Sequence, residues 1–157
     1  MKKVWIVAPF SSIGTVGVRN RFQYLANRLH NEGMDVTLFT NNFSHGKKEH
    51  VPEDIITRYP YKVKLIHEPG YTKNVSIKRV LSHNKFGSNL KKEINQMDKP
   101  DLIYAAYPTM SASYVAGKYA KKNNIPFVID IQDTWPESIS AAVDTEKLLF
   151  KILMWPF

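Results

Sequence analysis

Cysteine is absent from the 157 residues. That excludes a disulfide framework and a thiolate site, and it fits a reducing, cytoplasmic compartment. No apolar run approaches the ~20 residues that a membrane-spanning helix needs. The N-terminal Met1-Lys2-Lys3 is followed by only a short apolar stretch before Ser11, with no cleavage pattern, so it reads as a strand and not as a signal sequence. The five histidines, His30, His45, His50, His67 and His83, show no metal-ligand spacing. They read as ordinary surface or core residues, and no metal is expected. Acidic residues are scarce in one place above all: Lys73 to Lys92 carries Lys73, Lys78, Arg79, Lys85, Lys91 and Lys92 and not one carboxylate.

What is present is the composition of one soluble globular domain, with 43% hydrophobic and 23% charged residues. A formal net charge of +8 points to an anionic partner: a phosphorylated ligand, an anionic membrane leaflet or nucleic acid. Val4 to Ala8 is a short apolar run, as expected of a strand buried on both faces. Ser11 to Gly17 is a glycine-bearing loop. From Val18 the apolar residues Val18, Phe22, Leu25 and Leu29 repeat as one helix face, Gly33 stands at the helix end, and Val36 to Phe39 is a second buried strand. This is a parallel strand–helix–strand unit.

The same alternation continues. Asn41 to Glu53 is a polar loop, and Tyr61 to His67 alternates as a strand with one wet face at a sheet edge. Val75, Ile77, Val80, Leu81, Phe86, Leu90, Ile94 and Met97 mark an apolar stripe on one long or two short helices, with Gly87 where a break would fall. The lysines lie off that stripe, so the segment is either a solvated face or a basic surface for an anionic membrane. Leu102 to Ala106 is a third buried strand. Thr109 or Ser111 can cap a helix over Met110 to Lys122, whose inner face is small at Ala112, Val115, Ala116 and Ala120. Ile125 to Ile131 is a fourth buried strand. The expected fold is α/β, an open doubly wound parallel sheet whose ligands bind beyond the C-terminal ends of the strands.

Those ends carry the candidate residues. The Gly14–Gly17 loop leads into a helix N-terminus, whose free N–H groups and dipole suit a phosphate, and Arg19 and Arg21 add positive charge. The alternative is that the two glycines only make the turn. The spacing is G-x-x-G, not the G-x-G-x-x-G of dinucleotide sites, and Thr40, Asn41 and Asn42 stand where a ribose-binding acid would close the second strand. Tyr107-Pro108-Thr109 ends the third strand. After the fourth come Asp133, Trp135 and Glu137, where Asp133 either caps the next helix or meets a ligand. Asp130, inside that strand, needs a partner, which Arg19 or a backbone N–H could supply.

Three stretches resemble the N-terminal half of GT-B glycosyltransferases of family 4, the type that builds bacterial capsule, O-antigen or exopolysaccharide. They are Ile6-Val-Ala-Pro with its Gly14–Gly17 loop and Arg19, the run from Phe22 to Thr40, and Ile131-Gln-Asp-Thr-Trp-Pro-Glu-Ser. The resemblance implies a three-layer, Rossmann-like acceptor-side domain over residues 1–157. It also implies a nucleotide-diphosphate sugar as donor, no metal or other cofactor, and a saccharide or lipid-linked acceptor. By the same resemblance, Gly14, Thr15, Val16, Gly17 and Arg19 face the donor diphosphate, and Asp133 faces the reacting sugar or acceptor as the catalytic candidate. Pro108, Thr109, Trp135 and Glu137 lie on the substrate rim. The donor-gripping C-terminal domain would be a partner outside this chain, so the chain alone is expected to be inactive.

The apolar ending Leu148 to Phe157 agrees with a chain cut from a longer one. Two rival functions share these features. One is a GT-B nucleotide-sugar epimerase. The other is a non-enzymatic basic module for membrane or nucleic acid. Nucleic acid is disfavoured, because Lys73 to Lys92 offers only Phe86 for base stacking.

Overall fold

The computed structural model describes residues 1–14, 20–74 and 76–132. Strand β1 (Lys3–Val7) is an alternating apolar segment with no wet face: Val4, Ile6 and Ala8 pack on one side, Trp5 and Val7 on the other, all 3% exposed or less. Such a strand is stable only between two layers. Helix α1 (Arg21–Asn31) follows, then β2 (Asp35–Asn41), a small antiparallel ribbon of β3 (Phe43–Ser44) and β4 (Glu49–His50), and a 3₁₀ turn at Glu53–Arg58. The remaining elements are β5 (Lys62–Ile66), α2 (Ile77–Ile94), β6 (Leu102–Tyr107), α3 (Met110–Asn123) and β7 (Phe127–Ile131).

The main sheet has the order β5-β2-β1-β6-β7, and every pairing in it is parallel. The chain winds outward in one direction from β1 to β5, then returns to the other side of β1 with β6 and β7. The sheet is therefore doubly wound, and its topological switch lies between β1 and β6. Helix α1 covers one face through Phe22 and Ala26, while α2 and α3 cover the other through Phe86, Leu90, Ile94, Ala112, Ala116 and Ala120. The result is the three-layer α/β arrangement expected from the sequence. Strand β5 is an edge, as its alternation predicts, with Lys62 and Lys64 outward and Val63 and Ile66 inward.

Helix α1 begins at Arg21, later than the Val18 start expected from periodicity. Asn20 sets that start: its side-chain oxygen accepts from the N–H of Phe22 (3.0 Å) and of Gln23 (3.4 Å), and its amide donates to the Phe10 carbonyl at 3.1 Å. An Asn cap of this kind is worth about 1 kcal/mol. Val18 itself lies outside the described residues. At the other end Gly33 takes φ +80°, and the N–H groups of Gly33 and Met34 reach back to the carbonyls of His30 and Leu29. That left-handed conformation is why the position is a glycine.

The structure decides between the two readings of α2. It is one unbroken helix of 18 residues, and Gly87 is a contact point instead of a break. A Cβ at Gly87 would lie 2.9 Å from the Ser111 side chain and 3.1 Å from its backbone, so the glycine lets α2 and α3 touch. The apolar stripe is buried only in its later half. Ile77, Val80 and Leu81 are 63%, 38% and 60% exposed, and the core contacts of α2 are made from Phe86 onward by Phe86, Leu90 and Ile94.

The fourth strand is corrected. Among the described residues it is an edge with one neighbour, and Val128, Ile129 and Ile131 are 43%, 44% and 62% exposed instead of buried. The small face of α3 is as expected: Ala112, Ala116 and Ala120 are sealed against Trp5 and the sheet. Asn124 ends that helix in a left-handed cap at φ +54°.

Candidate functional site

All five parallel strands end on the same rim, and the loops that leave β1, β6 and β7 enclose a pocket of about 150 Å³. Phe10 comes from the β1 loop, Ala106 and Pro108 from the end of β6, and Gln132 from the residue after β7. Phe22 of α1 forms part of its wall. His45 and Arg79 close one side. The rim position follows from the handedness of the strand–helix–strand units, which brings every βα loop to one side of the sheet.

The floor is held by hydrogen bonds that leave little freedom. Ser11 Oγ donates to Thr40 Oγ1 at 2.6 Å, and Thr40 Oγ1 donates to the Pro9 carbonyl at 3.1 Å. Gln23 Nε2 donates to the Ser11 carbonyl at 2.5 Å. These contacts fix the start of the glycine loop against the ends of β1 and β2. Thr40, noted in the sequence only for the acid it replaces, is thus a buried latch.

Gly14 adopts φ +80°, with its Cβ direction 3.2 Å from Ile55, and its N–H donates to the Tyr59 hydroxyl at 3.3 Å. The turn alone therefore demands a glycine here. Thr15, Val16, Gly17 and Arg19 lie outside the described residues, as do Asp133, Trp135 and Glu137. Pro108 lines the pocket after a cis Tyr107–Pro108 peptide. Thr109 is 3% exposed and stands at the N-cap of α3, yet its hydroxyl caps nothing and has no hydrogen-bond partner. The other cap candidate, Ser111, donates to the His83 carbonyl at 2.6 Å and so ties α3 to α2.

Asp130 does have a partner, Arg21, while Arg19 lies outside the described residues. Arg21 Nη1 lies 3.0 Å from both carboxylate oxygens. The late start of α1 makes this pairing: as the first helical residue, Arg21 reaches across to β7. The Asp130 side chain is 15% exposed and Arg21 is 59% exposed, so this is a pair at the rim and not an isolated buried charge. Tyr104 shares a hydrogen bond with Asp130, and burial together with that carboxylate raises the phenol above its ordinary value.

The sequence reading missed a cluster of basic and aromatic side chains around Phe10. The rings of His45 and His83 sit on Phe10 at 5.6 and 5.5 Å between centroids, and both also meet Tyr71, at 5.7 Å each. The His45 Nδ1 and the Tyr71 hydroxyl are 2.6 Å apart. Lys48 Nζ and the Arg79 guanidinium lie over the Tyr71 ring at 4.7 and 5.7 Å. Lys48 Nζ donates to the Asn74 side-chain oxygen, and Arg79 Nη1 to the Asn74 carbonyl.

Crowding of like charge shapes the chemistry of these groups. His83 is pushed down to about 3 by burial, then by Arg79 and His45. His45 is lowered by burial, then by Lys48 and Arg79. Lys48 is lowered by loss of hydration, then by Arg79. The His83 Nε2 is buried and has no partner. No spacing rule finds this group, because His45, Lys48, Tyr71, Arg79 and His83 meet only through the fold.

Beneath the cluster Glu68 is 1% exposed. It accepts from Asn41 Nδ2 at 2.6 Å and from Ser82 Oγ at 3.0 Å. Burial raises its pKa above the ordinary value, and these two hydrogen bonds only partly offset that. Ser82 in turn accepts from the Gly70 N–H at 2.9 Å, so Glu68 links β2, α2 and the loop that carries Tyr71. Among the described residues no cluster of three or more His, Cys, Asp or Glu could hold a metal ion. No helix among them is long and apolar enough to cross a membrane.

A profile of Glycosyltransferase Family 4 matches residues 16–157. Comparison with curated protein sequences gives no match. Among solved structures, the C-terminal domain (residues 78–226) of PF1911 hydrogenase from Pyrococcus furiosus superposes with a TM-score of 0.55 at 16% identity, over 82% of this chain and 91% of that one. Phytolacca americana UGT2, complexed with UDP-2fluoro-glucose and pterostilbene, superposes with a TM-score of 0.54 at 13% identity. That alignment covers 93% of this chain and 36% of UGT2. Likeness at such identities is likeness of fold: a Rossmann-like α/β layer structure that matches part of a GT-B enzyme. A hydrogenase domain sharing it shows how little chemistry the architecture alone dictates.

Proposed function

The chain belongs to glycosyltransferase family 4, and on that premise we propose that it is the acceptor-side domain of a two-domain GT-B enzyme. The reaction we assign is transfer of a sugar, a hexose in type, from a nucleotide-diphosphate sugar to a saccharide or lipid-linked acceptor. It proceeds with retention at the anomeric carbon and serves bacterial surface polysaccharide synthesis. The family match over residues 16–157 carries the reading. The pocket on the rim of the parallel sheet supports it, because ligands of such sheets bind there.

The roles follow from the charge that develops during the reaction. The transition state is oxocarbenium-like, and negative charge grows on the departing diphosphate. In this proposal the loop Gly14, Thr15, Val16 and Gly17, with Arg19, offers backbone N–H groups and a cation to that diphosphate. Asp133 orients or deprotonates the acceptor hydroxyl, or steadies the positive sugar. Pro108, Thr109, Trp135 and Glu137 shape the acceptor rim. The donor grip belongs to a second domain, so this domain alone does not turn over.

For a lipid-linked acceptor the domain would meet the inner membrane face through Lys73–Lys92. Support comes from Ile77 and Leu81, which are 63% and 60% exposed within the stretch Lys73 to Lys92, where every charged side chain is cationic. Salt-sensitive sedimentation with anionic but not neutral vesicles checks that contact.

The test of the main reading is product analysis. A protein uniting this domain with a nucleotide-sugar-binding GT-B domain is supplied with nucleotide-diphosphate sugars, with and without a saccharide acceptor. Transfer with retained anomeric configuration is expected, and Asp133→Asn should depress kcat by roughly 10²-fold or more. Epimerised donor with no transfer would replace this reading by the epimerase one.

A further inference from the structure

We propose that His45, Lys48, Arg79 and His83 form a subsite for a phosphate group carried by the acceptor. The inference deepens the acceptor-side reading and rests on it. Its observations are independent of the glycine loop and of Asp133.

The cluster is built from three separate parts of the chain. His45 and Lys48 come from the β3–β4 turn, and Arg79 and His83 from the first turns of α2. Tyr71, in the loop before α2, holds the first pair to the second through its hydroxyl and its ring face. The like charges here are Lys48 and Arg79, which share the Tyr71 ring and repel each other at that separation. Lys48 illustrates the point: its contacts are the Asn74 amide oxygen, the His45 ring at 3.5 Å and the Tyr71 face, none of them a carboxylate. An oxyanion between these groups turns the repulsion into attraction and accepts charge-assisted hydrogen bonds from Lys48 and Arg79.

A second observation points the same way. The His83 Nε2 is buried without a partner, on a ring that packs against the pocket-lining Phe10. The Thr109 hydroxyl, beside Pro108 at the pocket and 3% exposed, is likewise unpartnered. Buried polar atoms of this kind are rare in folded proteins and call for a ligand or water. His45 and Arg79 line the pocket directly, so an imidazole and a guanidinium face the same space as Pro108 and Gln132.

The proposed function selects the ligand: it gives the donor diphosphate to the Gly14–Gly17 loop and to a second domain, so the anion at this pocket of about 150 Å³ is assigned to the acceptor.

The experiment follows the ring protons of His45 and His83 by NMR while the chain is titrated with glucose 1-phosphate, inorganic pyrophosphate, UDP or glucose. Saturable shifts of both rings with glucose 1-phosphate and pyrophosphate, and none with glucose, are expected. Lys48→Gln and Arg79→Gln should each weaken binding by about tenfold or more. Lys121→Gln, in the last turn of α3 at the far end of the domain, should leave it unchanged. Equal loss in the Lys121 variant would reduce the effect to diffuse surface charge and overturn the proposal, as would shifts with UDP alone.

The outcome is separable from that of the transferase reading. Phosphate binding at these residues in a protein that only epimerises its donor would end the transferase assignment and leave the subsite. Sugar transfer with no phosphate effect on either ring would end the subsite alone.

Discussion

Acidification should destabilise this domain through His83 in particular. The imidazole is held neutral by burial and by Arg79 and His45, with its pKa lowered from 6.5 to about 3. A group whose folded pKa is depressed contributes stability above its unfolded pKa and loses it as pH falls toward the folded one. The window is therefore pH 6.5 down to 3. At pH 4 the unfolded chain holds the His83 proton almost fully, and the folded chain almost not at all. Taking 1.36 kcal/mol for each unit of pKa difference and integrating from pH 7 to pH 4 gives a loss of about 3 kcal/mol. That is a large fraction of the 5–15 kcal/mol by which domains are typically stable. The assay is urea denaturation of the wild type and of His83→Leu at several pH values between 7 and 4. Other groups titrate in the same range, so the quantity to read is the difference between the two proteins. It should shift by about 3 kcal/mol in favour of the leucine variant on acidification. Parallel curves would mean that His83 is neither sealed nor crowded by Arg79, and the repulsion argument for the cluster would go with it.

Glu68 should behave with the opposite sign. Its folded pKa is raised above 4.5, so the stability it contributes is complete below 4.5 and is lost as pH rises through the folded value. Glu68→Gln, which keeps an acceptor for Asn41, should gain on the wild type between pH 5 and pH 8 in the same denaturation assay. Gly87→Ala should cost about 1–3 kcal/mol, since the new methyl would meet Ser111 at 2.9 Å and force α2 and α3 apart; a neutral melting temperature would show that the helices do not touch there. Arg21→Ala should cost roughly 1 kcal/mol of stability, less at high salt, because its half-exposed guanidinium pairs with Asp130 at the rim. Hydrogen exchange at β7 reads the same variant locally, and unchanged protection there would place the anchorage of the strand elsewhere.

The layers were legible because burial on two faces leaves a mark in the sequence. Trp5 and Val7 must be apolar for α2 and α3, and Val4 and Ile6 for α1, so β1 reads as a continuous apolar run. The wet alternation of Lys62, Val63 and Lys64 marks an edge for the same reason. What failed was any inference from apolarity to burial where the neighbouring element is not visible in the pattern. Ile77, Leu81 and Ile131 are as apolar as Phe86 and Leu90, yet they lie exposed. Gly87 left one helix or two open for a related reason, because a glycine that admits a neighbouring helix looks identical in sequence to one that ends a helix.

The candidate site divides along the same line. The rim was foreseeable, since parallel βα units bring Phe10, Pro108 and Gln132 to one edge whatever their side chains are. The basic cluster was not, because its spacing in the chain carries no period: His45 and His83 are 38 positions apart and meet only across Phe10. The net charge of +8 announced an anionic partner without saying where it sits. The geometry turns that global excess into a local one. Lys48 and Arg79 over one tyrosine ring concentrate positive potential beside the pocket, with the unpartnered His83 nitrogen on a ring that meets the same tyrosine. The contacts of Lys48 and Arg79 with Tyr71 and Asn74 hold the two cations together against their repulsion, and a bound anion would turn that repulsion into attraction.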